Sequence, residues 1–143
     1  MEGLIQQLVS DIKKYFESNE EYANIMVKEK YEIYPKISYP AITIEEIENE
    51  DASRYFDETE RVTYLGYQFA IYSRQSSNKT AIQNVTDIAI LLDTYLKGTK
   101  YRCLRRIGSP VKAPLPNDDN VMICYLRYDC ALERDTNTIY RRY

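Results

Sequence analysis

The 143-residue sequence has no histidine, no tryptophan, four glycines and three cysteines. Without histidine the chain lacks the usual general base, the commonest transition-metal ligand and the partner that a Ser-His or Cys-His nucleophile needs. Catalysis would have to rest on Asp/Glu, Lys, Tyr or Cys, and the chain is read as a non-enzyme. The four glycines are scattered, so no glycine-rich loop is present to cradle a phosphate, and no cofactor is expected. Cys103, Cys124 and Cys130 form no CxxC pair, and an odd number cannot close into intrachain disulfides, which points to synthesis in a reducing cytosol. No apolar run reaches the roughly 18 residues of a membrane span, because Asp87 and Asp93 interrupt the most hydrophobic stretch. The N-terminus shows no charged-then-apolar leader, and a soluble protein without a membrane partner is expected. Asn78-Lys79-Thr80 and Asn84-Val85-Thr86 fit the glycosylation sequon but open a predicted helix, and are read as chance.

What is present begins with length: one domain, residues 1–143, able to bury roughly 68–70% of its unfolded surface. Charge is divided along the chain. Residues 1–60 carry 15 acidic and 6 basic side chains, a net −9, and residues 61–143 carry 7 and 13, a net +6. Such polarity suits a head-to-tail contact between copies, or else two solvated patches that intermix in the fold. Tyrosine numbers 15. Its large rigid ring with a polar tip favours protein contacts, and it also favours strands.

Periodicity supplies the elements. Leu4, Ile5, Leu8, Ile12, Tyr15 and Phe16 recur at helical spacing over Glu2–Glu17. Ile25, Val27, Tyr31 and Ile33 alternate as a short strand, and Ala41–Ile47 is a β-branched strand behind Pro40. It should pair with the strand that begins near Arg61. Between them, Glu48–Glu60 reads as an exposed acidic excursion. Along Val62–Ser73, Leu65, Tyr67, Phe69 and Ile71 occupy one face, with Val62, Tyr64, Ala70 and Tyr72 on the other. Neither face reads as solvated, so the strand should be covered on both sides, by helices or by other subunits. Thr80 and Gln83 have capping-box spacing before a stripe of Ile82, Val85, Ala89, Leu92 and Leu96, closed by Lys97 and a C′ Gly98. Lys100–Ile107 reads as a strand, Gly108–Asn120 as a loop with three prolines, and Val121–Leu132 as the last strand. The fold class is therefore α/β in the broad α+β sense, a single mixed or antiparallel sheet with two main helices packed on it. Residues 133–143, ending in Arg141, Arg142 and Tyr143, read as a mobile tail that orders on assembly.

Three constellations invite chemistry. Glu45, Glu46, Glu48, Glu50 and Asp51 lack the spacing and glycine of a calcium loop and read as a solvated acidic segment, with no metal expected. Arg102, Arg105, Arg106, Arg127, Arg141 and Arg142, with Tyr101, Tyr125, Tyr128 and Tyr140, resemble the basic aromatic surface of a single-strand nucleic-acid binder. No RRM-type signature accompanies them, and the acidic half can neutralise them. Cys124 and Cys130, on one face with Met122, Leu126, Tyr128 and Leu132, read as buried thiols. The preferred reading is self-assembly, with Glu45, Glu46, Glu48 and Glu50 of one copy facing Arg102, Arg105 and Arg106 of the next. Val111, Lys112 and Leu115 of the proline-rich loop are expected to dock a partner.

The succession of an amphipathic first helix, the Pro40-Ala41-Ile42-Thr43-Ile44 strand, an acidic excursion, the Tyr64–Ser73 strand, the Thr80–Lys97 helix, and the strands at 100–107 and 121–132 is similar to tail terminator, or tail completion, proteins of long-tailed bacteriophages. The resemblance covers nearly the whole chain as a pattern and carries no catalytic motif. It implies a virion protein forming a ring, typically hexameric, on the last ring of the tail tube, with the tube protein and neck or head-completion proteins as partners. Another neck connector subunit is the neighbouring alternative within that class.

Overall fold

The alternation of Val62–Ser73 produces a long central strand. In the computed structural model, which describes residues 3–30, 38–51, 62–116, 118–133, 136 and 138–141, this strand, β3, lies in a curled mixed sheet of order β1-β2-β3-β5-β4. The others are β1 (Met26–Glu29), β2 (Ala41–Asp51), β4 (Arg105–Leu115) and β5 (Asp118–Glu133), and β6 (Thr138–Tyr140) pairs with the end of β5. Strands β1 and β2 run parallel, and the other described pairs are antiparallel. Ala41 stands opposite Tyr72, so the expected pairing of these two strands is present. Two helices, α1 (Leu4–Glu17) and α2 (Ala81–Lys97), cover one face, α1 over β1 and β2 and α2 over β3 and β5. The fold is α+β, as the patterning implied.

Between helices and sheet lies the core. Leu8, Ile12 and Phe16 of α1 and Val85, Ile88, Leu92 and Leu96 of α2 meet Ile42, Ile44, Leu65, Tyr67, Phe69, Ile71, Leu126 and Tyr128. Cys124 and Cys130 are buried among them as expected. In α2 the Thr80 hydroxyl accepts from the Gln83 amide at 3.2 Å and the Gln83 side chain accepts from the Thr80 amide at 2.8 Å, completing the capping box. The inner stripe differs from expectation at one position: Ile82 is exposed and Ile88 is buried in its place, while Val85, Ala89, Leu92 and Leu96 face inward. Gly98 is the C-cap itself, with φ −93°, and makes no left-handed turn.

Three further expectations are corrected. Lys100–Cys103 is a 3-10 helix capped by Thr99, and the strand starts only at Arg105. Gly108–Asn120 is no loop: β4 runs through Val111 to Leu115 and turns directly into β5. Its register shifts between Ile107 and Val111, where Gly108 adopts φ +69°, a conformation that costs a side chain strain and that glycine takes freely. Glu48–Asp51 belongs to β2, not to an excursion. The rest of that segment, Tyr31 and Ile33 of the first predicted strand, and Arg142 and Tyr143 lie outside the described residues. The C-terminal segment read as mobile contains β6, whose Ile139 packs against the core.

Candidate assembly surface on the open sheet face

Strand alternation sends every second residue away from the helices. On the open face β3 places Tyr64, Gln68, Ala70 and Tyr72; β5 places Ile123, Tyr125, Arg127, Asp129 and Ala131; β4 places Arg105, Ile107, Val111 and Ala113. Among the described residues no helix covers this face, yet Ala41, Thr43, Ala70 and Ile123 on it are buried. The curl explains both facts. Lys30, just beyond β1, lines one cavity of about 560 Å³ with Gln68, Ile107, Val111, Tyr125 and Arg127, so the two edges of the sheet approach each other over a concave surface. Small residues at the floor are sealed by the curl, and the half-buried rings of Tyr64, Tyr72 and Tyr125 stand around them. Ile107 and Val111 remain 45% and 59% exposed at the rim. The expectation that both faces of β3 are covered thus holds for the helix side and is met only in part on the other.

Polar groups on this surface are held in place. Arg105 donates to both carboxylate oxygens of buried Asp129, at 3.2 and 3.0 Å, and that carboxylate raises the already high pKa of the guanidinium. Arg127 donates to Gln68 across the β3–β5 register at 2.9 Å. Lys30 pairs with Glu45 at 3.1 Å. Burial, then the neighbouring Tyr72, push the Tyr125 phenol up, partly offset by Lys30.

The residues singled out from sequence are distributed over both faces. Glu45, Glu48 and Glu50 lie on the open side of β2, whereas Glu46 faces the helix side opposite Tyr67. A bulge between Glu46 and Glu48 separates them, and Gly66 permits it, since a Cβ there would sit 3.0 Å from the Glu48 Cβ. Arg105 is engaged by Asp129 of its own chain, and Arg106 stands 3.9 Å from Asp93 on the helix side. Arg102 is exposed on the 3-10 helix and has no ion pair among the described residues. Val111 and Lys112 occupy opposite faces of β4, Leu115 is half-buried at its end, and Arg141 is exposed. The ten-residue basic aromatic set does not converge: Tyr101 and Tyr128 are buried, their hydroxyls donating to Asp11 and Asp93.

Sequence reasoning missed Lys30, Gln68, Ile107 and Asp129, which meet only through sheet curl and long-range pairing. One signal did point toward them, the two-sided apolar character of β3. No protein-family model matches the chain, and no curated protein matches it.

Proposed function

We propose that the chain is a structural subunit that closes into a ring on the head-proximal end of a phage tail tube, stopping tube growth and joining the tail to the head or neck. The observation that carries this reading is the concave sheet face that no helix among the described residues covers, with exposed Ile107 and Val111 beside half-buried tyrosines, a composition suited to the core of a protein contact. The order of elements and their resemblance to tail terminator proteins supply the particular assembly. A single-strand nucleic-acid role would use the same face, since Tyr125 and Arg127 lie on it. On that face Lys30 is answered by Glu45 and Arg105 by Asp129, which leaves little cationic charge for a phosphate backbone and favours protein.

The test is negative-stain imaging and light scattering of the purified protein, alone and mixed with tail tubes. Rings seated at one tube end are expected, and the double variant Ile107→Asp/Val111→Asp should keep its fold while losing them. Particles that bind isolated heads and ignore tubes would reassign the chain to a neck connector. Steeply salt-dependent retention of single-stranded oligonucleotides by a monomer would overturn the structural reading altogether.

A further inference from the structure

On the helix side, at the edge of the sheet, a second cavity of about 700 Å³ opens between α1 and the strands β1 and β2. Its walls are apolar at Ile5 and Ile44, and it is lined by Glu29, Glu45 and Glu46, with one cation, Lys30, already paired to Glu45. Glu29 is the unusual member. It is 4% exposed, yet among the described residues nothing hydrogen-bonds to it or pairs with it. Its carboxylate oxygens are not sealed from solvent, so the little surface it keeps faces the cavity it lines. A buried carboxylate is stable in company only when a cation or donor answers it.

The chemistry of the cavity selects the guest. No group of three acidic, cysteine or histidine side chains among the described residues is arranged to hold a metal ion. A flat cation on an aliphatic stem suits the site, the stem against Ile5 and Ile44 and the head against Glu29, which describes arginine. The described arginines divide sharply. Arg74, Arg105, Arg106 and Arg127 have partners in Asp118, Asp129, Asp93 and Gln68. Arg102 and Arg141 are exposed and without an ion pair among the described residues, and of these two Arg102 is the one held on a structured element, a 3-10 helix fixed by its Thr99 cap and by the Tyr101–Asp11 hydrogen bond. The Glu29 cavity and Arg102 lie on opposite flanks of α1. At 100° per residue, Ile5 and Gln6 face the Glu29 cavity, whereas Leu4, Gln7 and Asp11 turn toward Lys100 and Tyr101. A site on one flank and its complement on the other is the geometry of a heterologous, head-to-tail contact.

We infer that the Glu29 cavity receives the Arg102 guanidinium of a second copy, which makes this pair the recognition element of subunit association. The inference rests on the reading of the chain as a self-assembling subunit, and it replaces the charge pairing expected at Arg105 and Arg106. Sedimentation velocity at low salt on the wild type, Glu29→Gln and Arg102→Gln, each paired with thermal unfolding, tests it. Each variant should self-associate at least tenfold more weakly. The Glu29→Gln monomer should unfold at the same temperature as wild type or higher, because the carboxylate has no partner within its own chain.

Association unchanged in either variant overturns the pairing and leaves the ring intact as a reading. A lowered unfolding temperature for Glu29→Gln shows that the carboxylate serves the fold, which also overturns it. Wild-type copies that associate through Glu29 yet never cap a tube uphold the pairing and remove the tail assignment. A wild type that stays monomeric at every concentration ends both.

Discussion

Single residues in this protein show that tyrosine abundance has more than one cause. Tyr67, Tyr101 and Tyr128 are among the largest fully buried side chains, and Tyr22 is buried with its hydroxyl on Asn84 at 3.1 Å. Part of the tyrosine count is therefore core, its polar tips satisfied by Asp11, Asp93 and Asn84. Burial, reinforced by the carboxylates they donate to, raises the Tyr101 and Tyr128 phenols. Their neutral forms are favoured in the fold, so this stability is present below the unfolded value of about 10 and is lost as pH climbs through the raised folded values. Denaturant midpoints should hold to about pH 10 and then fall, and Tyr128→Phe should soften the fall.

Asp93 behaves oppositely. Burial pushes it up, but Lys97, Tyr128 and Arg106 outweigh that and hold it below the usual carboxylate range. Its contribution is present above the unfolded value and is lost as pH falls through the folded one. Asp93→Asn should remove about 1.5–3 kcal/mol at pH 7 and flatten the acid limb of the stability curve. Leu92, fully buried mid-helix, gives the simplest case: Leu92→Ala should lower stability by about 2–5 kcal/mol in urea unfolding.

At the scale of elements, α2 was legible because its signals are local. A capping box, a periodic stripe and a basic last turn all sit within the helix, and Thr80→Ala should cost about 1 kcal/mol in the same unfolding measurement. The β4–β5 hairpin was not legible, because three prolines read locally as a loop. Two of them, Pro110 and Pro114, fall within a strand at the sheet edge, where a missing N–H interrupts no central ladder. The 3-10 helix at Lys100–Cys103 was hidden for a related reason: over four residues an alternating pattern and a tight turn look alike, and only the long-range Tyr101–Asp11 bond separates them. The concave face was half legible. Two-sided burial of β3 could be read from alternation, but the meeting of Lys30 with Ile107 and Tyr125 depends on curl, which sequence spacing does not carry. Excising residues 111–116 would therefore remove paired strand and unfold the sheet, so surface substitutions are the right probe of docking.

For the whole molecule, the division of charge acquires a partial internal answer. Acidic and basic halves meet within one chain at Lys79–Glu21 and Lys100–Asp11, while Lys30–Glu45, Arg74–Asp118 and Arg105–Asp129 neutralise charge inside each half. What remains for association is the residue left over, and an assembly steered by it should weaken as sodium chloride rises from 0.05 to 0.5 M by roughly the shortening of the Debye length from above 10 Å to below 8 Å. Sedimentation across that salt series checks this, and an assembly indifferent to salt would assign the contact to its apolar rim instead.

The strand order has a bearing on how the chain comes off the ribosome. β3 is finished by Ser73, but its neighbour on one side is β5, in register from Val62 with Glu133 to Ser73 with Met122. Throughout the synthesis of α2 and β4 the twelve residues of β3 therefore present an open edge, with a nascent chain that can recruit no native partner for it. Chains arrested before Met122 should be captured by chaperones or aggregate, and chains extended past Glu133 should become protease-resistant in one step. The central place of β5 makes its emergence from the ribosome the event that commits this sheet to its fold.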